Sequence, residues 1–112
     1  KEWAGYNDLA WILSKQGQYS EAKKTIELAF KEVLEAKNNP WFWNALGVAE
    51  LNLKNYSSAA DSFKKAKELA GKLTLEEWHR SYPGNDPASV QEGLSAFIAA
   101  IEENLRRAES KK

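Results

Sequence analysis

The chain contains no cysteine, which removes disulfide frameworks, thiolate nucleophiles and cysteine-ligated metal sites and leaves the redox compartment open. Methionine is absent as well, and His79 is the only histidine. A single imidazole without cysteine or a carboxylate set at ligand spacing gives no metal site. His79 lies in Glu76-Glu77-Trp78-His79-Arg80 with no poised partner in the pattern, which favours a surface or packing residue over a general base. Glycine occurs six times and always scattered, so no phosphate-cradling loop is present. An excess of one charge sign is missing too. Lysine plus arginine and aspartate plus glutamate each number 16, and basic pairs such as Lys23-Lys24 and Lys64-Lys65 are interleaved with acids. Nucleic acid and anionic membranes need a clustered basic excess and are not expected partners. No apolar run reaches the roughly 18 residues of a membrane span, so a membrane partner is not expected and a cytoplasmic location is favoured. No cofactor, metal or catalytic residue is expected. The start at Lys1-Glu2-Trp3, without an initiator methionine, fits a fragment of a longer protein, a processed chain or an engineered one.

What is present is a repeat. Displaced by 37 residues, the sequence matches itself: Asn7 with Asn44, Leu9 with Leu46, Tyr19 with Tyr56, Ala22 with Ala59, and Ala29 with Ala66. Inside each unit the apolar spacing is helical, as in Tyr6, Leu9, Ala10 and Leu13, then Ala22, Ile26, Ala29, Phe30 and Val33. Gly17-Gln18-Tyr19-Ser20 separates the two runs. Glycine there predicts a left-handed helix end, and serine predicts the cap of the next helix. Asn39-Pro40 predicts another helix start, with asparagine at the N-cap and proline at the first helical position. The period and composition predict an all-α, antiparallel helix-hairpin solenoid of about six helices.

Trp43-x-x-Leu46-Gly47, followed by Tyr56, Ala59-x-x-x-Phe63 and Ala66, resembles the tetratricopeptide repeat. The resemblance covers about residues 3–70, with residues 3–37 as a looser first hairpin and 40–71 as the second. Small residues at Gly47, Ala59 and Ala66 let two helices approach, while Trp43, Leu46 and Phe63 fill between them. Two positions depart from the family: Glu50 replaces an aromatic, and Lys54 replaces the turn glycine unless Asn55 absorbs the turn. Both units exceed the roughly 34-residue norm, which predicts an extra helical turn near Ala36–Asn39.

Residues 74–108 read as a degenerate third hairpin that caps the stack. Thr74-x-x-Glu77 forms a capping box, with Leu73 and Trp78 as a hydrophobic staple, and opens a short helix over 75–82. Asp86-Pro87 then starts a long helix with a stripe of Val90, Leu94, Phe97, Ile98, Ile101 and Leu105. Glu109–Lys112 are expected to fray.

The resemblance implies a non-catalytic protein-interaction module whose first helices line a concave peptide groove. Carried over by position, that surface holds Asn7, Trp11, Ser14 and Lys15 in the first unit, and Trp41, Asn44, Val48, Leu51 and Asn52 in the second. The family's carboxylate clamp needs lysine and asparagine at positions that here hold Asn7, Trp11 and Ala45, so an acidic C-terminal tail is not the expected ligand. An extended or helical apolar segment is expected instead, with the asparagines holding its backbone and the tryptophans its side chains. Other readings stay open at this point. The C-terminal helix could fill the groove, or the chain could self-associate through the second hairpin or the Val90–Leu105 stripe. It could also be a regulatory or targeting part of a larger protein.

Overall fold

The computed structural model describes the backbone of residues 3–73, 77 and 87–112, with side chains over 5–73, 77 and 93–112. Five α-helices follow one another: α1 Trp3–Lys15, α2 Tyr19–Glu32, α3 Pro40–Asn52, α4 Tyr56–Gly71 and α5 Pro87–Ser110. A short 3-10 turn, Ala36–Asn38, lies between α2 and α3. No strand occurs among the described residues. The short helix expected over 75–82, with its capping box and staple, falls outside the described residues apart from Glu77, which is helical.

The 37-residue register holds in three dimensions. Helices α1 and α3 each have 13 residues and start and stop one period apart. Each ends in the same hydrogen-bonded turn. Gln18 N donates to Leu13 O at 2.8 Å and Gly17 N to Ser14 O at 3.0 Å; Asn55 N donates to Glu50 O at 2.8 Å and Lys54 N to Leu51 O at 3.0 Å. These paired bonds absorb carbonyls that a helix end would otherwise leave unpaired. They require one left-handed residue, supplied by Gly17 at φ 77° and by Lys54 at φ 67°. The lysine therefore takes the strained conformation itself, and Asn55 stays at negative φ as the residue before α4. Because the next helix starts two residues later, its N-cap falls on Gln18 or Asn55. Ser20 and Ser57 lie inside the first turns, and the expected serine caps are not formed.

The longer period does not lengthen a helix. Helix α2 stops at Glu32, Val33 is extended, Glu35 turns left-handed at φ 65°, and Ala36–Asn38 make the separate 3-10 turn. β-branched Val33 stays buried in its extended conformation, so the chain leaves the helix while keeping its apolar contact. Asn39 then caps α3 as expected, its side-chain oxygen accepting from Trp41 N at 2.9 Å with Pro40 at the first position.

Each helix packs chiefly on its neighbours in chain order, α1 on α2, α2 on α3, α3 on α4 and α4 on α5. One core cluster joins Ala10, Ile26, Ala29, Val33, Phe42 and Leu46; a second joins Ala59, Phe63, Ala66, Ile101 and Ala108. Trp43 packs against both, and its indole Nε1 donates to Lys37 O at 2.7 Å. Phe42 leans back edge-on to Phe30, with ring centroids 6.2 Å apart. Burying a ring of this size stabilises by about 2–3 kcal/mol. Helices α3 and α4 approach closely at Gly47: a Cβ there would lie 2.5 Å from the Phe63 ring. Helix α5 closes the stack over α4, and Lys64–Glu109 (3.7 Å) and Lys67–Glu102 (3.2 Å) pair along that edge. It remains helical through Ser110, further than the expected fraying allowed.

Candidate functional site

Helices α1, α3 and α5 share one side of the stack, since α1 touches α3 and α3 touches α5 past the helices between them. A cavity of about 380 Å³ opens there, lined by Asn7, Asp8 and Trp11 of α1, Trp41, Asn44 and Ala45 of α3, and Phe97 and Ala100 of α5. Its aromatic wall is built across helices. Trp41 stacks on Phe97 with centroids 5.4 Å apart and planes 15° from parallel. One turn along, Asn104 Nδ2 donates to Asn44 Oδ1 at 3.3 Å. Ala45 and Ala100 contribute small side chains to the lining.

Of the residues assigned to a groove from sequence, Asn7, Trp11, Trp41 and Asn44 come together around this cavity. Lys15 lies one turn beyond, its Nζ 5.8 Å from the Trp11 ring centroid, so the indole already attracts a cation. Val48 and Leu51 are half-buried and pack towards the cluster shared by α4 and α5. Asn52 is exposed and donates to Val48 O at 2.8 Å within its own helix. Ala45 was placed there only as a position of the absent carboxylate clamp, and the sequence missed Asp8, Phe97, Ala100 and Asn104. Phe97 was visible only as a member of an apolar stripe, because nothing local fixes how α5 registers against α3. The C-terminal helix packs on Trp41 and Asn44, and its Phe97 and Ala100 line the cavity that stays open beside them. Among the described residues of the α5 stripe, Ile101 is fully buried, and Ile98 and Leu105 pack around it.

The second helix of the groove is held from behind by a buried carboxylate. Glu50 accepts a hydrogen bond from Ser62 Oγ of α4 at 2.5 Å and faces Lys23 Nζ of α2 at 3.9 Å. Loss of hydration pushes its carboxyl above the ordinary range, against the opposing pull of Ser62 and Lys23. This residue ties α3 to both flanking helices where the family places an aromatic. On α5, Arg106 beside Glu103 holds that exposed carboxyl below its usual range. Among the described residues no group of three histidine, aspartate or glutamate side chains is placed to hold a metal ion. No described helix is long and apolar enough to cross a membrane. His79 falls outside the described residues.

Comparison with protein families decides what the hairpins are. The model described as Tetratricopeptide repeat matches residues 4–39 and again 42–73, spanning α1–α2 and α3–α4. The chain belongs to the tetratricopeptide-repeat family. Neither the curated proteins nor the solved structures returned a match. Tetratricopeptide repeats mark a protein–protein interaction module, and the two repeats here bring protein partners with them.

Proposed function

We propose that this tetratricopeptide-repeat module binds an apolar segment of a partner protein, extended or helical, in the groove between α1, α3 and α5. The cavity beside Trp11, Trp41 and Phe97 carries the reading, because aromatic side chains around an open space of about 380 Å³ are the usual anchors of an interface. Asn7 and Asn44 recur one period apart on adjoining helices and offer amides to a peptide backbone. Among the described residues Asp8 is the one charged group in the lining, and a carboxylate disfavours an acidic tail.

The test is a fluorescence-anisotropy titration of two labelled peptide sets, one with apolar, amidated sequences and one ending in acidic residues with a free carboxylate. The apolar set should bind with little dependence on salt. Trp11→Ala should weaken it by about 2 kcal/mol, roughly 30-fold. Preference for the acidic set, or equal affinity after Trp11→Ala, overturns the reading.

A further inference from the structure

Asp8 is exposed and borders the groove cavity between Asn7 and Trp11, in a lining that is otherwise aromatic, aliphatic or amide among the described residues. It has no basic partner among those residues, whereas Glu102, Glu103 and Glu109 of α5 each pair with a lysine or an arginine. Lys15 does not supply that partner. It stands seven residues further along α1, about 10 Å of helix rise, with its Nζ 5.8 Å from the centroid of the Trp11 ring. Successive turns of α1 therefore present a carboxylate, a half-exposed indole and then a cation. A segment seated beside Trp11 covers Asp8 as well. Covering an unpaired carboxylate with apolar side chains carries a desolvation cost, which a counter-charge with hydrogen-bond donors offsets.

We infer that the cavity takes one arginine side chain from the partner's otherwise apolar segment, its guanidinium against Trp11 and its N–H groups donating to Asp8. This deepens the groove reading and rests on it. Asp8 and Trp11 are three residues apart on one helix, so their side chains are neighbours and one group can touch both. A guanidinium suits that pair. It lies flat on an aromatic face and donates two parallel hydrogen bonds to a carboxylate, whereas a lysine ammonium is a hydrated point charge that cannot stack. Tryptophan is the aromatic side chain that attracts cations best, and Lys15 already occupies the turn beyond it. The incoming charge is thus drawn to the Asp8 side of the ring, away from Lys15. The Asn7 side-chain oxygen offers a further acceptor, and about 380 Å³ leaves room for a side chain of this length. Trp41 and Phe97 form the wall along which the apolar flanks of the segment lie.

The test is an anisotropy titration of labelled, amidated peptides that share one apolar sequence and differ at a single central residue. That residue is arginine, its uncharged isostere citrulline, or lysine. Arginine should bind about tenfold tighter than citrulline, with lysine between them. The preference should shrink as salt rises from about 0.05 to 0.5 M, because an exposed pair is screened. Asp8→Asn should cut the arginine-to-citrulline ratio to about threefold or less, a readout that a purely structural role of Asp8 would not move. Equal affinity for arginine and citrulline overturns the inference, as does a lysine peptide that binds as tightly as the arginine one. So does a ratio that Asp8→Asn leaves at full size. In those cases the groove reading stands as long as the citrulline peptide binds and Trp11→Ala weakens it. Should none of the three peptides bind, the groove reading fails and this inference falls with it.

Discussion

Leu9 and Leu46 hold the same place in successive repeats, as do Ala10 and Gly47, Leu13 and Glu50, and Gly17 and Lys54. The backbone treats each pair alike; the surroundings do not. In the first repeat Ala10 sits in one cluster with Ile26, and in the second Gly47 sits against Phe63, one period on from Ile26. The smaller residue on one helix is matched by the larger one on its partner. Where the first repeat puts Leu13, the second puts a buried carboxylate held by two neighbouring helices. The two repeats thus share where their helices begin and where the first helix of each ends, while what fills the space between the helices differs.

Exchanging residues between the repeats breaks this comparison most sharply at the close approach. Gly47→Ala should destabilise by about 1–3 kcal/mol in urea denaturation, despite alanine's better helix propensity, because the new methyl meets the Phe63 ring. Adding Phe63→Ile, which recreates the first repeat's pair, should recover part of that loss. A Gly47→Ala protein more stable than wild type would refute the packing argument.

Glu50 gives an intermediate effect. Ser62→Ala removes the donor from a buried carboxylate and should cost about 1–3 kcal/mol at neutral pH. Since the folded state holds the Glu50 proton more tightly than the unfolded state, this group's contribution is full below the ordinary carboxyl range. It is lost as pH rises through the raised value. Glu50→Gln should therefore gain stability relative to wild type as pH climbs from the ordinary carboxyl range through that window. Parallel stability curves for the two proteins would exclude the burial argument.

The smallest effect lies at the turns. Lys54→Gly should stabilise by about 1 kcal/mol and Gly17→Lys should destabilise by a similar amount, both read from thermal midpoints. Opposite signs are required, since both positions carry the same left-handed turn.

Features carried by neighbouring residues were legible in the sequence. The period, the Asn39-Pro40 helix start, the left-handed Gly17 and the Trp43–Gly47 signature each depend on a few consecutive positions. Features set by distant partners were not. The stack of Trp41 on Phe97 and the bond from Asn104 to Asn44 need a register between α3 and α5 that no local pattern encodes. Glu50 stood out as a departure, but its burial depends on Lys23 and Ser62 arriving from two other helices. Leu9 followed the apolar period faithfully and still ended half exposed, because periodicity marks a face without saying whether anything covers it. The expected extra helical turn failed for a local reason, since length alone cannot distinguish a longer helix from a break at Val33 and a left-handed Glu35.

Helix α5 forms the third wall of the proposed groove, and the Trp41–Phe97 stack and the Asn104–Asn44 bond tie it to α3. A ligand resting on Phe97 and Ala100 as well as on α3 would bind only while α5 is docked, so its binding free energy adds to the docking of α5. Amide hydrogens of α5 would then exchange more slowly in the complex, and a protease would cut that helix less readily. Occupancy of the groove would in this way be written into the lifetime of α5.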